Sequence, residues 1–550
     1  MLECVVIAKD LAYRGRVNAA TIENDAWCVE KQGVFSVIRD GDLDIYKILG
    51  TELEKWRKGI SSELTRARRG TKALLFDGEG HLLRRTDLPH RQIVNEKGWV
   101  SHDLNEIYRN TVQTVKTLVA ESGVAPEEIA GIGISNQRET TAIWDKATGE
   151  PLEEAIVWQC GRASGIAQEI AEQGHAEEIR EATGLQLSAY FPAAKMAWLL
   201  RNGGEERQKR AADGKLCLGT IDSWLVYKLT GDHAFKTDFS NASRTQLFNL
   251  KTLAWDKKIC EMFGIPVCAL ARVCNSDAVY GATTMEGLFS EPVPICGVLG
   301  DSHAALFGQG CLKPGMIKAT YGTGSSLMMN IGDKPIKSSH GVVTSLAWGR
   351  GGKVDYVLEG NLNYTGAVIT WLKDDLKLIS SAKETEGLAR EANPADRTYL
   401  VPAFTGLGAP YWDEKATASI SGITRTTGKA EVIKAALDCI AYQITDLVRA
   451  MEQDTGMRIE ELRVDGGPTR NGYLMQFQSD ITNKRVNIPD AEELSGIGAA
   501  YMAGISAGVY DLEKLAGNMN RRVYEPKMDD EIREKKYAGW KVAVDGVLSK

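Results

Sequence analysis

Four short clusters of polar residues and glycines in this sequence could act on a ligand that carries hydroxyl or phosphate groups. The clusters are residues 136–141, 300–303, 320–326 and 464–471. Each cluster alone also fits an ordinary structural role, such as a solvated turn, a helix cap or a tight strand-to-helix connection. Their order and mutual spacing are therefore more informative than any single cluster.

The first cluster, residues 136–141 (NQRETT), places a cation beside an anion after an apolar segment. Arg138 could donate, and Glu139 could accept, hydrogen bonds from neighbouring hydroxyls of a polyol. Such a site rejects analogues that lack a hydroxyl, because its buried charges would be left unpaired. The alternative is a solvated turn with a surface ion pair, and these six residues leave it open.

The second cluster contains Asp301, which follows the apolar stretch ICGVLG. A carboxylate at a strand end can accept the proton of an attacking hydroxyl. An aspartate at this place can equally cap a helix that begins at Ala304. The neighbouring His303 is more typical of a structural histidine.

The third and fourth clusters are rich in glycine, which suits close approach of the backbone to a phosphate. Residues 320–326 (TYGTGSS) add small hydroxyls that can donate to phosphate oxygens. They are not a P-loop, because no Gly-Lys-Ser/Thr follows. Residues 464–471 (VDGGPTRN) join a strand to a helix start, which fits a nucleotide or a simple tight turn.

Alternating strands and helices must position these clusters. Residues 72–77 and 81–88 predict a β-hairpin, and residues 129–135 (IAGIGIS) predict a buried strand that ends at the first cluster. Residues 429–452 predict a long amphipathic helix, and residues 462–464 predict the strand before the fourth cluster. This pattern indicates an α/β fold, and we expect two domains with a central cleft.

The composition excludes several classes of protein. The chain has 550 residues, of which 43% are hydrophobic and 25% charged, as in ordinary globular proteins. The net charge of -7 argues against non-specific nucleic-acid binding. No apolar run reaches the ~20 residues of a membrane span, and the N-terminus lacks the basic lead of a signal peptide. Ten scattered cysteines without a CxxC pair favour reduced thiols in a cytoplasmic protein.

Taken together, the sequence resembles the FGGY family of carbohydrate kinases, and within it the glycerol kinases. The resemblance extends from about residue 70 to the YAGWKVAV segment near the C-terminus. Long, specific segments carry it, among them NQRETTAIWDKATGEP, GTIDSWLVYKLTG, NASRTQLFNL, VPAFTGLGAPYWD and LMQFQSDI.

The resemblance implies two ribonuclease-H-like domains of the actin and hexokinase type around a central cleft. Residues 70–310 would form the substrate-binding domain and residues 311–550 the nucleotide-binding domain. The implied reaction is ATP-dependent phosphorylation of glycerol to sn-glycerol 3-phosphate, with ATP and Mg²⁺ as cofactors. Expected partners are glycerol or a similar polyol and further copies of the chain in a homo-oligomer, with no nucleic acid.

The resemblance also implies roles for individual residues. Polyol hydroxyls would be bound by Arg138, Glu139 and Tyr190, and the carbon backbone would pack against Trp158. Asp301 would bind the reacting hydroxyl and act as the general base, with Ser302 beside it. The residues expected around the nucleotide are Thr323 at the phosphates and Gly366, Gly467 and Asn471. No side chain is assigned to the metal.

Four positions depart from the glycerol kinase pattern. Ser302 stands in place of glutamine, Ser326 in place of phenylalanine, Thr370 in place of glutamine and Gly161 in place of arginine. The first two changes put hydroxyls where the family has larger side chains near the pocket. We therefore hypothesise a roomier, more polar pocket, suited to a longer polyol or a sugar.

The N-terminus departs further. Family members begin with a strand and an Asp-x-Gly-Thr-Thr phosphate loop, which spacing places at residues 65–69, where TRARR stands. One DNA string can encode residues 61–69 (SSELTRARR) and, one base out of register, Ile-Ile-Gly-Thr-Asp-Pro-Gly-Thr-Thr. We hypothesise that residues 1–69 are non-native or out of frame. With residues 1–69 as they stand, the chain would bind phosphate and metal poorly and would be catalytically impaired. It would also expose a sheet edge.

Overall fold

The structure is a computed structural model that describes residues 2–8, 19–22, 26–31, 34–38, 70–515 and 519–549. Two α/β domains face each other across a cleft, as predicted. The first domain is built on a six-stranded sheet with a five-stranded sheet beside it, and the second on a seven-stranded sheet. No helix in these ranges is long and apolar enough to cross a membrane.

The six-stranded sheet supplies the strand ends that carry the first two clusters. Its strands lie in the spatial order Gly281–Thr283, Val293–Gly300, Ile129–Asn136, Leu2–Ala8, Gly70–Phe76 and Leu82–Pro89. The predicted hairpin is confirmed by the antiparallel pairing of the last two. The predicted strand at residues 129–135 is also confirmed, and all of its side chains are buried.

The seven-stranded sheet supplies the third and fourth clusters. Its strands lie in the order Val343–Arg350, Lys353–Leu362, Ser325–Gly332, Ile317–Tyr321, Glu461–Gly466, Arg485–Pro489 and Arg521–Tyr524. The long helix predicted at residues 429–452 is confirmed as Lys429–Thr455, and its apolar face, from Ile433 to Met451, is buried in the core of this domain.

The remaining elements support these two sheets. The five-stranded sheet has the order Leu216–Thr220, Thr141–Asp145, Ala155–Ile156, Val100–His102 and Ile93–Val94. The smaller sheets are Ala19–Ile22 with Ala26–Lys31 and Val34–Ile38, Lys236–Asp238 with Arg272–Cys274, Phe248–Asn249 with Ala254–Trp255, and Tyr399–Val401 with Ser419–Ser421. The other helices in the described ranges are Leu104–Ser122, Ser164–Glu172, Ala176–Thr183, Pro192–Asn202, Gly204–Ala212, Ile221–Leu229, Phe239–Ala242, Lys257–Phe263, Asp301–Gly308, Gly366–Asp374, Glu384–Glu391, Gly472–Thr482, Leu494–Ser506, Leu512–Leu515 and Asp530–Asp545.

The helix Leu494–Ser506 packs against the six-stranded sheet of the first domain, although in sequence it lies between strands of the second domain's sheet. The approach is close, because a Cβ on Gly133 would lie 2.6 Å from the carbonyl oxygen of Ala499. A helix from beyond residue 310 thus packs on the first domain, and the domain boundary at residue 310 stays a prediction.

The strand Leu2–Ala8 fills the centre of the six-stranded sheet. The predicted exposed edge is wrong, because this strand pairs on both sides, with Gly70–Phe76 and with Ile129–Asn136. Its apolar side chains, such as those of Val5 and Ile7, are fully buried, which accounts for its place in the core. Residues 65–69, where the phosphate loop is expected, lie outside the described residues.

The N-terminal strand runs in the opposite direction to a strand that would be joined to Gly70 by a short loop. Leu2–Ala8 is parallel to Gly70–Phe76 and antiparallel to Ile129–Asn136. A strand joined to Gly70 by a loop of a few residues would have to run antiparallel to Gly70–Phe76, since parallel neighbours need a long crossover. The N-terminal strand thus occupies the place of such a strand in the reverse direction.

The reversed strand buries polar groups that find incomplete partners. Burial, reinforced by the nearby carboxylate of Glu493, raises the pKa of Glu3 to about 7. One of its oxygens accepts a hydrogen bond from Ser495 at 2.6 Å, but Oε1 has none and lies 3.8 Å from Lys72 Nζ. The hydroxyls of Thr71 and Ser135 on the flanking strands also lack hydrogen bonds within the described part of the chain.

Candidate active site

The first two clusters meet at one edge of the six-stranded sheet. Strands Ile129–Asn136 and Val293–Gly300 are parallel neighbours, with Gly300 opposite Asn136. The residues that follow them therefore emerge together. Arg138 Nε lies 3.1 Å from Glu139 Oε1 and 3.7 Å from Asp301 Oδ1.

Asp301 is the accessible carboxylate of this group. It is the first residue of the helix Asp301–Gly308, which begins three residues before the predicted start at Ala304, and Gly300 is its N-cap. The side chain is 34% exposed, and Oδ1 accepts a hydrogen bond from the backbone amide of Ser302 at 2.7 Å. A carboxylate in the first turn of a helix is stabilised by the helix dipole. Asp301 thus presents a carboxylate that a ligand in the cleft can reach.

Arg138 and Glu139 belong to a buried ring of alternating charges that we call the cleft ring. Its members are Arg138, Glu139, Arg244 and Glu359, and none is more than 4% exposed. Arg138 Nη1 donates to Glu359 Oε2 at 3.0 Å, and Nη2 donates to Glu359 Oε1. Arg244 Nε donates to Glu139 Oε1 at 2.9 Å, while its Nη1 lies 2.9 Å from Glu359 Oε2 without hydrogen-bond alignment.

The charges of the cleft ring stabilise one another. Burial disfavours the charged form of Glu359, but the guanidinium groups of Arg138 and Arg244 outweigh it and hold the pKa of Glu359 well below its usual range. Burial likewise opposes the charge of Arg138, and Glu359, Glu139 and Asp301 together raise its pKa. Glu359 and Arg138 are therefore both charged at neutral pH.

Sequence reasoning missed Arg244 and Glu359. Arg244 lies in the segment NASRT and Glu359 in the strand YVLEGNL, far from Arg138 in sequence. The one signal available for Glu359 was its place in the segment YVLEGNL, whose other residues are uncharged, because charges are rarely buried without a partner.

His303 lies beside the cleft ring. Its Nδ1 is 3.3 Å from Arg138 Nη1, and its Nε2 is 3.4 Å from the hydroxyl of Ser345 in the second domain. Burial and the neighbouring Arg138 hold the pKa of His303 well below its usual range, so the imidazole is neutral. It can therefore accept a hydrogen bond from Arg138.

Tyr190 and Trp158 stand together near the same edge. Their rings meet edge to face with centroids 5.8 Å apart, and Trp158 is 40% exposed. The buried ammonium of Lys195 donates to the backbone carbonyl of Glu139 at 3.1 Å and to that of Tyr190. Burial lowers the pKa of Lys195 to about 7. This lysine ties the backbone of Tyr190 to the first cluster.

The two serines that depart from the family pattern contact each other. Ser302 Oγ lies 3.4 Å from Ser326 Oγ, and both side chains are half-buried. Ser302 comes from the first domain and Ser326 from the strand Ser325–Gly332 of the second. The structure thus joins two positions that are 24 residues apart in sequence, directly beside Asp301.

Thr323 and Gly366 are joined on the second domain. The carbonyl of Thr323 accepts hydrogen bonds from the amides of Thr365 at 2.9 Å and Ala367 at 3.0 Å. The amide of Gly366 donates to the carbonyl of Gly322 at 2.9 Å, and a Cβ on Gly366 would lie 2.6 Å from that oxygen. Thr323 itself is exposed, so its hydroxyl is available to a ligand.

The fourth cluster lies beside the third. Strands Ile317–Tyr321 and Glu461–Gly466 are parallel, with Tyr321 opposite Gly466. Gly466 has a φ of 99°, and a Cβ there would lie 2.0 Å from the Tyr321 carbonyl oxygen, so only glycine fits. Gly467 follows, and the Asn471 side chain caps the helix Gly472–Thr482 by accepting from the Leu474 amide at 2.9 Å.

The third and fourth clusters together present groups that suit phosphate. They combine an exposed threonine, glycine backbone and the N-terminus of an 11-residue helix. Within the described part of the chain, no group of three or more His, Cys, Asp or Glu side chains is arranged to hold a metal.

Comparison with known proteins identifies the family. Residues 68–308 match the model of the FGGY family of carbohydrate kinases, N-terminal domain, and residues 317–507 match the model of its C-terminal domain. The chain belongs to the FGGY family of carbohydrate kinases. It is therefore a phosphotransferase that acts on an alcohol group, and the family predicted from the sequence is confirmed.

Several FGGY kinases are similar over nearly their whole length. Glycerol kinase 2 of Thermotoga maritima is 47% identical over 481 residues, which cover 87% of this chain and 96% of that protein. Glycerol kinase of Bacillus velezensis is 44% identical, with coverage of 87% and 97%. The crystal structure of Plasmodium falciparum glycerol kinase with ADP superposes with a TM-score of 0.81 at 33% identity, covering 88% and 97%. Ligand-bound xylulose kinase from Lactobacillus acidophilus shares the fold at 22% identity, with a TM-score of 0.78 over 86% of this chain and 95% of that one.

Proposed function

We propose that this protein transfers the γ-phosphoryl group of ATP to glycerol, giving sn-glycerol 3-phosphate and ADP. The observation that carries the proposal is the convergence of Arg138, Glu139 and Asp301 at one cleft edge. Relatives named glycerol kinase, 44% to 47% identical over most of both chains, support the choice of glycerol.

On the polyol side, charged and aromatic side chains would contact different parts of the substrate. Arg138 donates to, and Glu139 accepts from, adjacent hydroxyls, Tyr190 binds a hydroxyl as well, and Trp158 covers the carbon backbone. Asp301 receives the proton of the terminal hydroxyl as that oxygen attacks phosphorus. Holding the hydroxyl at a fixed distance and angle removes much of the entropic barrier to transfer.

On the nucleotide side, Thr323, Gly366, Gly467 and Asn471 would line the site for ATP. The exposed hydroxyl, the close-packed glycines and the helix N-terminus fit phosphate oxygens. When bound, Mg²⁺ neutralises phosphate charge, and it is commonly held by one or two carboxylates together with the phosphates themselves. We also infer a cytoplasmic enzyme that forms homo-oligomers.

A second candidate substrate is a longer polyol or a sugar. The contact between Ser302 and Ser326 favours it, because two small hydroxyls leave more space and more hydrogen-bonding capacity than larger side chains. A panel of three- to six-carbon polyols and sugars separates the two. If glycerol has by far the highest kcat/KM, the longer substrate is excluded.

A third candidate is a chain that binds its polyol but transfers phosphate poorly. The reversed strand Leu2–Ala8 favours it, because its direction does not allow a short phosphate loop to lead into Gly70. Stabilisation by glycerol in thermal unfolding without turnover would support this candidate.

Glycerol-dependent ADP release, with chemical identification of sn-glycerol 3-phosphate, tests the proposed function. We expect release that saturates with glycerol and is lost without Mg²⁺. If glycerol neither stimulates ADP release nor binds to the protein, the proposal is wrong.

A further inference from the structure

Glu359 contacts the polyol side of the cleft from the opposite domain. It lies on the strand Lys353–Leu362 of the second domain, whereas Arg138 and Arg244 belong to the first. Both of its carboxylate oxygens accept hydrogen bonds from Arg138, and it is 0% exposed. A fully buried carboxylate thus joins the two domains through the arginine expected to bind substrate.

The geometry of this contact fixes the orientation of Arg138. Glu359 occupies the edge formed by Nη1 and Nη2, and a bidentate pair of this kind holds the planar guanidinium in one orientation. The remaining nitrogen, Nε, lies 3.1 Å from Glu139 Oε1 and 3.7 Å from Asp301 Oδ1. Without Glu359, Arg138 would be free to turn both nitrogens of its fork toward these two carboxylates.

Arg244 is the second arginine that contacts Glu359. It pairs with Glu359 and with Glu139, so each carboxylate of the cleft ring contacts both arginines. The charge of Glu359 is therefore compensated twice, which makes it a stable anchor even though it is buried.

We propose that Glu359 is a positioning residue for the polyol. It orients Arg138 across the domain interface, and thereby keeps both Nη groups of Arg138 away from Glu139 and Asp301, the carboxylates proposed to accept hydrogen bonds from the substrate. The proposal rests on the proposed function, because it takes Arg138 as a ligand of the polyol. Glu359 itself needs no contact with substrate.

Calorimetric titration of the full-length chain with glycerol tests this role without requiring turnover. Glu359→Gln keeps the shape but removes the charge, and we expect glycerol binding to weaken about tenfold. ATP binding should stay within about twofold of the parent in the same experiment, because the cleft ring does not include the nucleotide loops. Glu359→Asp, which shortens the side chain but keeps the charge, should weaken glycerol binding less and serves if Glu359→Gln does not fold.

A double-mutant cycle shows whether Glu359 acts through Arg138. In an Arg138→Ala background, Glu359→Gln should change the glycerol Kd by less than about twofold, because the arginine that it orients is already absent, although Arg244 remains. Asp446→Asn is the matched control, since Asp446 is a buried carboxylate of the second domain bonded by Tyr411, Tyr537 and Trp540. It should lower the Tm and leave the glycerol Kd unchanged.

The outcomes separate this inference from the proposed function. A parent chain that binds no glycerol contradicts the proposed function, and the positioning role with it. A parent that binds glycerol, with Glu359 variants that lose only thermal stability, overturns the positioning role alone. Equal weakening by Glu359→Gln with and without Arg138 also overturns it.

Discussion

The cleft ring and the N-terminal strand both bury charge, but they compensate it differently. In the cleft ring, each carboxylate contacts two arginines, and the pKa of Glu359 is lowered by its partners. In the strand Leu2–Ala8, burial raises the pKa of Glu3 to about 7, and its Oε1 has no hydrogen bond. Buried polar groups of native proteins are generally paired. Each carboxylate of the cleft ring is therefore compensated by two arginines, whereas Glu3 has one hydrogen bond, from Ser495, and one buried oxygen without any.

The largest expected effect comes from exchanging the N-terminal strand. Residues 1–69 would be replaced by Met, three residues and Tyr-Ile-Ile-Gly-Thr-Asp-Pro-Gly-Thr-Thr, joined to Gly70. We expect kcat/KM for ATP to rise by about 10³-fold, because backbone donors and a carboxylate return to the phosphates. ADP release at saturating glycerol measures it.

The matched control for this exchange carries alanine in place of the loop aspartate and should recover only part of the gain. Equal rates of ADP release for the unaltered chain and for the chain with the replaced N-terminus would show that the phosphate loop is not needed for turnover. A nucleotide sequence across codons 54–72 that reads cleanly in the present frame would remove the frameshift explanation.

Loss of the proposed base is the next largest effect. Asp301→Asn should lower kcat by about 10² to 10³-fold, because no group remains to accept the hydroxyl proton, while glycerol binding changes little. Steady-state kinetics in the exchanged chain provide the measurement. Asp213→Asn, at an exposed aspartate of the same domain, should have no effect, and an Asp301→Asn variant with full kcat would contradict the proposed role.

The buried carboxylate of the N-terminal strand should make stability depend on pH. Since the pKa of Glu3 is raised to about 7 in the folded state, the folded protein keeps a proton that the unfolded chain loses near pH 4.5. The contribution of Glu3 to the free energy of unfolding therefore falls as pH rises, by roughly 2.5 kcal/mol between pH 5 and 8. Urea unfolding of the parent and of Glu3→Gln should show this difference.

The exposed Glu79 offers a control for that measurement, because Glu79→Gln should retain the pH dependence of the parent. A Glu3→Gln variant with the same pH dependence as the parent would mean that Glu3 is not buried in the sheet.

The smallest expected effect concerns substrate length. Ser326→Phe should raise the ratio of kcat/KM for glycerol to that for a four-carbon polyol by about tenfold, because the ring fills space beside Ser302. The control is Ser380→Phe at an exposed serine. An unchanged ratio would show that the contact between Ser302 and Ser326 does not limit substrate size.

Local patterns in the sequence predicted much of the fold and part of the site. The short apolar run at residues 129–135 indicates a buried strand, and the long helix near residue 440 has the period of one helix face; both are confirmed. Arg138 and Asp301 could be singled out because each follows such a run. Glu359 could not, because its partner Arg138 is 221 residues away and only the tertiary fold joins them. The place of Leu2–Ala8 was also unpredictable, since an apolar heptapeptide does not specify its neighbours or direction.

Calorimetric titration of the unaltered 550-residue chain, first with glycerol and then with ATP and Mg²⁺, tests most directly the contrast between the cleft ring and the N-terminal strand. Our account predicts saturable binding of glycerol at one site per chain and weak binding of ATP that becomes strong when the N-terminal strand is exchanged. Tight ATP binding by the unaltered chain, or no binding of glycerol, would contradict this account.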